Sequence, residues 1–244
     1  MLLAIDIGNT NINMAVFKGK RISRRYSIPT NNRDYRKPLK NIFAANPIKA
    51  AILCSVVPQV TLRLQKELRA RLGRPPIIIG KDLRVPIKNL YRSPGQVGQD
   101  RLVNAYVGLI LYGAPLVVVD FGTAVTFDVI SSRKEYLGGM IIPGLQISLD
   151  VLSERTALLP KLKLAAPVEF IGRDTKNSIL SGIVYGVACL ADELSRRIKE
   201  KIGRAKVIGT GGNIKLLRSY CKGFDRIDSD LTLKGLNLIY QNNS

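Results

Sequence analysis

The feature that most constrains this chain is a strand–turn–strand unit that occurs twice. Leu2 to Ile5 is an apolar run, and Asp6, Ile7, Gly8 and Asn9 make a polar glycine turn. In Asn11 to Phe17 the apolar Ile12, Met14 and Val16 then alternate with Asn11, Asn13 and Ala15, the period of a half-buried strand. Leu116 to Val119, then Asp120, Phe121, Gly122 and Thr123, then Val125 to Ile130 restate the unit, with a spacing of 114 residues at Asp6/Asp120 and at Gly8/Gly122. One Asp-x-Gly is common, but two with the same flanks, dividing 244 residues near their midpoint, mark an internal repeat. The expected architecture is α/β, in two related halves, 1–115 and 116–244, with a cleft between them.

Between the repeats, the pattern predicts a strand over Arg21 to Ile28, a helix over Asp34 to Ala45 weakened at its start by Pro38, and a buried strand over Ala50 to Cys54. A basic helix carrying Leu62, Leu64, Leu68 and Leu72 ends at Gly73, Ile77 to Ile79 is a short strand, and a helix runs from about Asp100 to Tyr112 before Gly113 and Pro115. In the second half, Gly138 and Gly139 read as a loop, Leu145 to Leu152 and Thr175 to Lys201 as helices, and Val207 to Gly212 as a strand entering a glycine turn before a helix from Ile214.

Composition narrows the chemistry. At 46% hydrophobic the chain can bury a large core, and no stretch approaches the roughly 20 uninterrupted apolar residues of a bilayer span. Met1 leads directly into apolar residues without a basic leader, so the expected compartment is the cytoplasm and no membrane partner is expected. Cys54, Cys189 and Cys221 are odd in number and widely spaced, which fits buried structural thiols better than disulfides or zinc. The absence of histidine excludes Ser/His/Asp and Cys/His nucleophilic chemistry and the HExxH metalloproteases, leaving acid–base work to carboxylates, Lys, Tyr or Cys. The net charge is +20, of which residues 1–115 carry +15 (20 basic, 5 acidic) and residues 116–244 carry +5 (18 basic, 13 acidic). The basic residues are scattered, as in Arg63, Lys66, Arg69 and Arg71, so a solvated face is the simpler reading and a nucleic-acid partner is not expected.

Asp6 ends a strand, Gly8 lets the backbone approach a phosphate, and Asn9, Thr10 and Asn11 supply donors to its oxygens. Asp6 also suits Mg²⁺, which takes oxygen ligands and keeps several waters. The alternative is an ordinary hairpin turn. Asp120 and Thr123 give the second half an equivalent loop, and residues 207–212 (VIGTGG) a third glycine turn, suited to a ribose or adenine or merely to joining strand and helix. The segment 91–101 (YRSPGQVGQDR) sets Asp100 beside Arg101 at an expected helix start. There a carboxylate can simply complement the helix, worth about 1 kcal/mol. It can also accept a hydroxyl proton while the arginine fork grips a substrate carboxylate.

Taken in order, residues 6–11 (DIGNTN), Tyr91 followed by residues 97–101 (VGQDR), 120–128 (DFGTAVTFD), 138–145 (GGMIIPGL), 156–162 (TALLPKL), 171–186 (IGRDTKNSILSGIVYG), 207–212 (VIGTGG) and 230–236 (DLTLKGL) resemble type III pantothenate kinase across nearly the whole chain. The resemblance implies the fold of the acetate-kinase, sugar-kinase, heat-shock-chaperone and actin superfamily: two actin-like (ribonuclease H-like) halves with ATP in the cleft. It implies ATP-dependent phosphorylation of pantothenate to 4'-phosphopantothenate, the first step of coenzyme A synthesis, in a cytoplasmic homodimer typically insensitive to coenzyme A. By position, Asp6, Ile7, Gly8, Asn9, Thr10, Asn11, Ile12 and Asn13 would bind ATP, with Thr123 a further contact. Asp100 would be the general base and Arg101 the partner of the pantothenate carboxylate, with Tyr91, Gly98, Gln99 and Thr175 completing the substrate pocket. Asp120 would hold a monovalent cation, K⁺ or NH₄⁺, beside Mg²⁺ on the nucleotide.

Two positions depart from the family pattern. Gln99 stands where a small residue is common, which would narrow the pocket rim or add a hydrogen bond, and Val125 replaces a frequent threonine. Competing readings are a non-catalytic relative of the Bvg accessory factor type, which affects transcription, and a bare nucleotide-binding or chaperone-like ATPase module. Asp6, Asp100, Arg101 and Asp120 together favour an active kinase.

Overall fold

The computed structural model describes residues 1–32 and 34–243. The chain divides into two compact units. Unit 1 comprises 1–87, 92–107 and 231–244, and unit 2 comprises 88–91 and 108–230.

Unit 1 is built on β1 (Leu2–Ile7), β2 (Asn11–Lys18), β3 (Arg21–Pro29), β4 (Ala50–Ser55) and β5 (Ile77–Ile78), in the sheet order β3-β2-β1-β4-β5. The first three strands form an antiparallel meander, and β4 and β5 join parallel to β1. Three helices of this unit are α1 (Arg36–Ala45), α2 (Pro58–Leu72) and, at the far end of the chain, α7 (Leu231–Gln241). Pro38 falls in the first turn of α1, where a missing N–H costs nothing, and Leu39 and Ile42 are buried. Helix α2 starts on Pro58, buries Val60, Leu64 and Leu68 at a spacing of four, and stops at Gly73, whose φ of 69° only glycine adopts freely. Leu62 of the same helix is 68% exposed, since its position lies off that stripe. The core gathers Leu3, Ile5, Ile12, Leu39, Leu53 and Leu64, each side chain contributing roughly 1.5–3 kcal/mol by burial.

Helix α3 (Gln99–Tyr112) follows a 3₁₀ turn at Pro94–Gln96 and belongs to unit 1 as far as Val107. Its packing against α7 requires Gly235, because a Cβ there would stand 2.6 Å from Val103 Cγ1 and 3.2 Å from Val107.

Unit 2 repeats the sheet. Its strands β7 (Leu116–Phe121), β8 (Ala124–Ile130), β9 (Glu135–Pro143), β10 (Lys206–Thr210) and β11 (Arg226–Ile227) run in the order β11-β10-β7-β8-β9, with β6 (Lys88–Asn89) added beside β9. The equivalence extends to irregularities: β2 bulges between Val16 and Phe17 against β3, and β8 bulges between Val129 and Ile130 against β9. Helices α4 (Leu145–Arg155), α5 (Thr175–Ile202) and the single turn α6 (Ile214–Leu217) complete the unit.

Gly138 and Gly139 lie inside β9, contrary to the expected loop. Both pair with β8, and Gly138, at φ 123°, relieves the bulge opposite Val129. By length and composition alone α5 could cross a membrane, with a mean hydropathy of 1.3 over its most apolar window. It instead packs Val184, Ala188, Ala191 and Ile198 into the core of unit 2 with Val117, Phe127 and Val207. Val125 is fully buried in the same core, a position that an apolar β-branched side chain fits.

Candidate active site

Asp6 sits at the end of β1, half-buried, opposite Asn13 on β2 and Cys54 on β4. The turn beyond it is held from inside and from the side. The Gly8 N–H donates to the Asn11 carbonyl at 3.0 Å, the Thr30 N–H to the Thr10 carbonyl at 2.9 Å, and the Thr30 hydroxyl to the Gly8 carbonyl at 2.7 Å. Asn9, Thr10 and Asn11 face solvent while Ile7 and Ile12 are buried, so the turn is anchored by its apolar ends and presents its polar middle. Asn13 accepts a hydrogen bond from the Ser27 hydroxyl at 2.9 Å. Thr30, which fixes this loop, gave no signal in the sequence because its partner is a backbone carbonyl 22 residues away.

The other acidic centre of unit 1 lies in the first turn of α3. Gly98 starts it: the Arg101 N–H donates to the Gly98 carbonyl at 3.1 Å, and the Asp100 carboxylate folds back into the space a Cβ on residue 98 would fill. Asp100 Oδ1 also accepts from the Arg101 N–H at 2.9 Å, the helix-complementing role weighed above. Burial nonetheless raises the Asp100 pKa above the ordinary carboxylate value, and the Arg101 hydrogen bond and charge offset this only in part. Arg101 is 8% exposed.

Cys54 links the two centres. Its thiol is fully buried, and its pKa is pushed well up by desolvation, then by the negative charges of Asp6 and Asp100. The charges of Asp6 and Asp100 therefore both bear on one neutral thiol. A cysteine in an apolar strand carries no such signal, since the neighbour that gives it meaning arrives from residue 100.

Unit 2 holds the remaining candidates. Asp120 ends β7, opposite Thr126 on β8 and Thr210 on β10. Gly211, at φ 95°, lies so close to Asp120 Oδ1 and the Phe121 backbone that no side chain fits there. Thr123 is exposed at the tip of its turn, where the Gly122 N–H donates to the Ala124 carbonyl at 3.1 Å, and its own carbonyl abuts Gly144. Tyr91 is placed by β6: its N–H donates to Asn89 Oδ1 at 2.9 Å, and its ring lies 3.3 Å from where a Gly138 Cβ would be. Tyr91 thus belongs to unit 2, while Gly98 to Arg101 belong to unit 1. Thr175 is exposed at the first position of α5, which Asp174 caps by accepting the Asn177 N–H at 2.8 Å.

Among the described residues no group of three or more Asp, Glu, Cys or His side chains is placed to hold a metal ion.

Residues 2–197 match the family model described as type III pantothenate kinase. A type III pantothenate kinase of Exiguobacterium is 36% identical over 252 residues, covering 100% of this chain and 99% of the relative. One of Thermus thermophilus is 41% identical over 251 residues, covering 98% of each. Among solved structures, a candidate Baf family transcriptional activator from Campylobacter jejuni superposes with a TM-score of 0.60 at 19% identity, covering 99% of this chain and 98% of its own. A candidate 2-dehydro-3-deoxygalactonokinase from Sinorhizobium meliloti gives 0.58 at 11% identity, covering 100% and 99%. At these identities the two structures speak to the fold alone, an α/β fold with a duplicated sheet. Full-length identity to the two kinases and the matching family model identify this chain as a member of the type III pantothenate kinase family.

Proposed function

We propose that the protein transfers the γ-phosphoryl group of ATP to the primary hydroxyl of pantothenate, yielding 4'-phosphopantothenate and ADP. The observation that carries this reading is the first turn of α3, where Asp100 accepts the N–H of the buried Arg101 and burial raises the Asp100 pKa, in a chain of this family. Asp100 accepts the hydroxyl proton. The hydroxyl oxygen forms its bond to the γ-phosphorus as the bond to the β–γ bridging oxygen breaks, and ADP leaves. Such a transfer is largely dissociative, so the base has modest work and positioning supplies much of the rate. A carboxylate made more basic by burial is suited to that work. Arg101 anchors the pantothenate carboxylate through its planar fork, while Tyr91, Gly98, Gln99 and Thr175 shape the pocket.

Asp6 to Asn13 bind the ATP phosphates, with Thr123 a further nucleotide contact. Asp6 would hold Mg²⁺ through water, and Asp120 would hold K⁺ or NH₄⁺; bound there, these ions neutralise phosphate charge. The protein works in the cytoplasm as a homodimer, each chain made of two related halves, 1–115 and 116–244. The exposed Leu158, Val168 and Ile171 of the segment before α5 support the dimer. The positive charge of the first half favours approach of two anionic substrates, without a nucleic-acid partner.

The test is ADP release by purified protein with ATP, Mg²⁺ and potassium, with and without pantothenate, and mass detection of 4'-phosphopantothenate. Pantothenate-dependent product is expected. Folded protein that gives none across nucleotides and cations refutes the reading and directs attention to salt-dependent DNA binding.

A further inference from the structure

The first residue of α3 rests on the turn that follows β5. The Gln99 side chain lies over the α-carbon of Gly80, and a Cβ built on residue 80 would stand 2.8 Å from its Cδ, 2.9 Å from its Cγ and 3.1 Å from its Oε1. Gly80 closes a braced turn just beyond β5. Its own N–H donates to the Leu83 carbonyl at 2.7 Å, the Ile78 N–H donates to Asp82 Oδ2 at 2.8 Å, and the Ile79 N–H reaches the Leu53 carbonyl of β4 at 2.9 Å. Leu53 directly precedes Cys54, whose thiol feels the charge of Asp100. The β5 turn therefore seats Gln99, the residue directly before Asp100.

We propose that Gly80 is a positioning residue for phosphoryl transfer: its bare α-carbon is the seat for Gln99, and through it sets the placement of Asp100 and Arg101. The proposal rests on reading those two residues as base and carboxylate anchor. It also gives Gln99 a physical role, since its side chain is spent on the seat and only its backbone is left to line the pocket. Any Cβ on residue 80 falls closer to the Gln99 carbons than side-chain carbons pack, so the Gln99 side chain must shift; on the proposal, the first turn of α3 shifts with it. At φ 85° a Cβ is also strained for a separate, local reason.

Steady-state kinetics of Gly80→Ala, Gln99→Ala and the double variant separate these two effects. Misplacing reacting groups by a fraction of an ångström is expected to lower kcat/KM for pantothenate about tenfold in Gly80→Ala, with the ATP KM within about twofold of the parent. Adding Gln99→Ala to Gly80→Ala removes the clash but not the strain, and should recover at least about threefold of kcat/KM. A double variant no better than Gly80→Ala, or a Gly80→Ala variant with parental kinetics, overturns the proposal. Should Gly80→Ala fail to fold, Gln99→Met, which keeps length on the seat, must retain about threefold more kcat/KM than Gln99→Ala; equal values overturn it. Failure of the underlying reading shows separately, as full turnover by Asp100→Asn.

Discussion

Asp6 and Asp120 end equivalent strands of equivalent sheets, yet each has acquired different company. Asp6 pairs with Cys54 and shares that thiol's surroundings with Asp100, whereas Asp120 pairs with Thr210 and lies against Gly211 of a glycine turn. The turns differ as well. Gly8 bonds to Asn11, but Gly122 bonds to Ala124, so the first turn is one residue longer and exposes Asn9, Thr10 and Asn11 where the second exposes Thr123. One skeleton thus presents a donor-rich loop in unit 1, and a short loop beside bare backbone in unit 2. The repeat fixes where each carboxylate ends its strand. What arrives next to it decides its chemistry.

If that division holds, Asp6→Asn should lower turnover by about 10²–10³, the scale for losing a charge contact in the transition state, and Asp120→Asn by far less. Equal losses, measured in one kinetic series, would erase the distinction between the two loops. Arg101→Ala should raise the pantothenate KM about 10- to 100-fold, from loss of a charged hydrogen bond, with little change in the ATP KM. Pantothenol, lacking the carboxylate, should not distinguish this variant from the parent. Asp120→Asn sharpens the comparison from the other side. The parent should recover activity when potassium or ammonium replaces sodium, and the variant should respond about tenfold less. A parent indifferent to the cation rejects that site.

The smallest effect is on stability. The folded-state pKa of Asp100 lies above its unfolded value, so the folded protein holds that proton to higher pH than the unfolded chain. Ionised Asp100 therefore subtracts stability as pH rises through that window. At neutral pH Asp100→Asn should melt above the parent, and the difference should vanish below the ordinary aspartate pKa of about 3.9. The same shift sets the acid limb of kcat/KM above that value. A variant that melts lower at neutral pH speaks against a strained, buried base.

The duplicated hairpin was legible in the sequence because alternation and a glycine turn are local signals, and the 114-residue spacing at Asp6/Asp120 needed no tertiary knowledge. The shift to 113 residues between the bulges at Val16/Phe17 and Val129/Ile130 was not, because it depends on turn hydrogen bonding. Gly138 and Gly139 misread as a loop for a related reason: glycine signals a break, yet here β8 on one side and the Tyr91 ring on the other hold the strand. Helix α7 was hidden inside a short motif, since its apolar face is defined by the sheet and by α3. In the candidate site, Asp6 and Asp100 stood out as acids framed by glycine in a basic half. Cys54, Gly80 and Thr30 did not, since each gains its role from a neighbour brought by strand register or helix packing.

The most direct test of Asp100 as the base is Asp100→Asn, with ATP and pantothenate affinities measured calorimetrically and product formation followed by mass detection. The account predicts near-parental binding of both substrates with turnover reduced by about 10²–10⁴. Turnover close to that of the parent, at unchanged affinities, would contradict it.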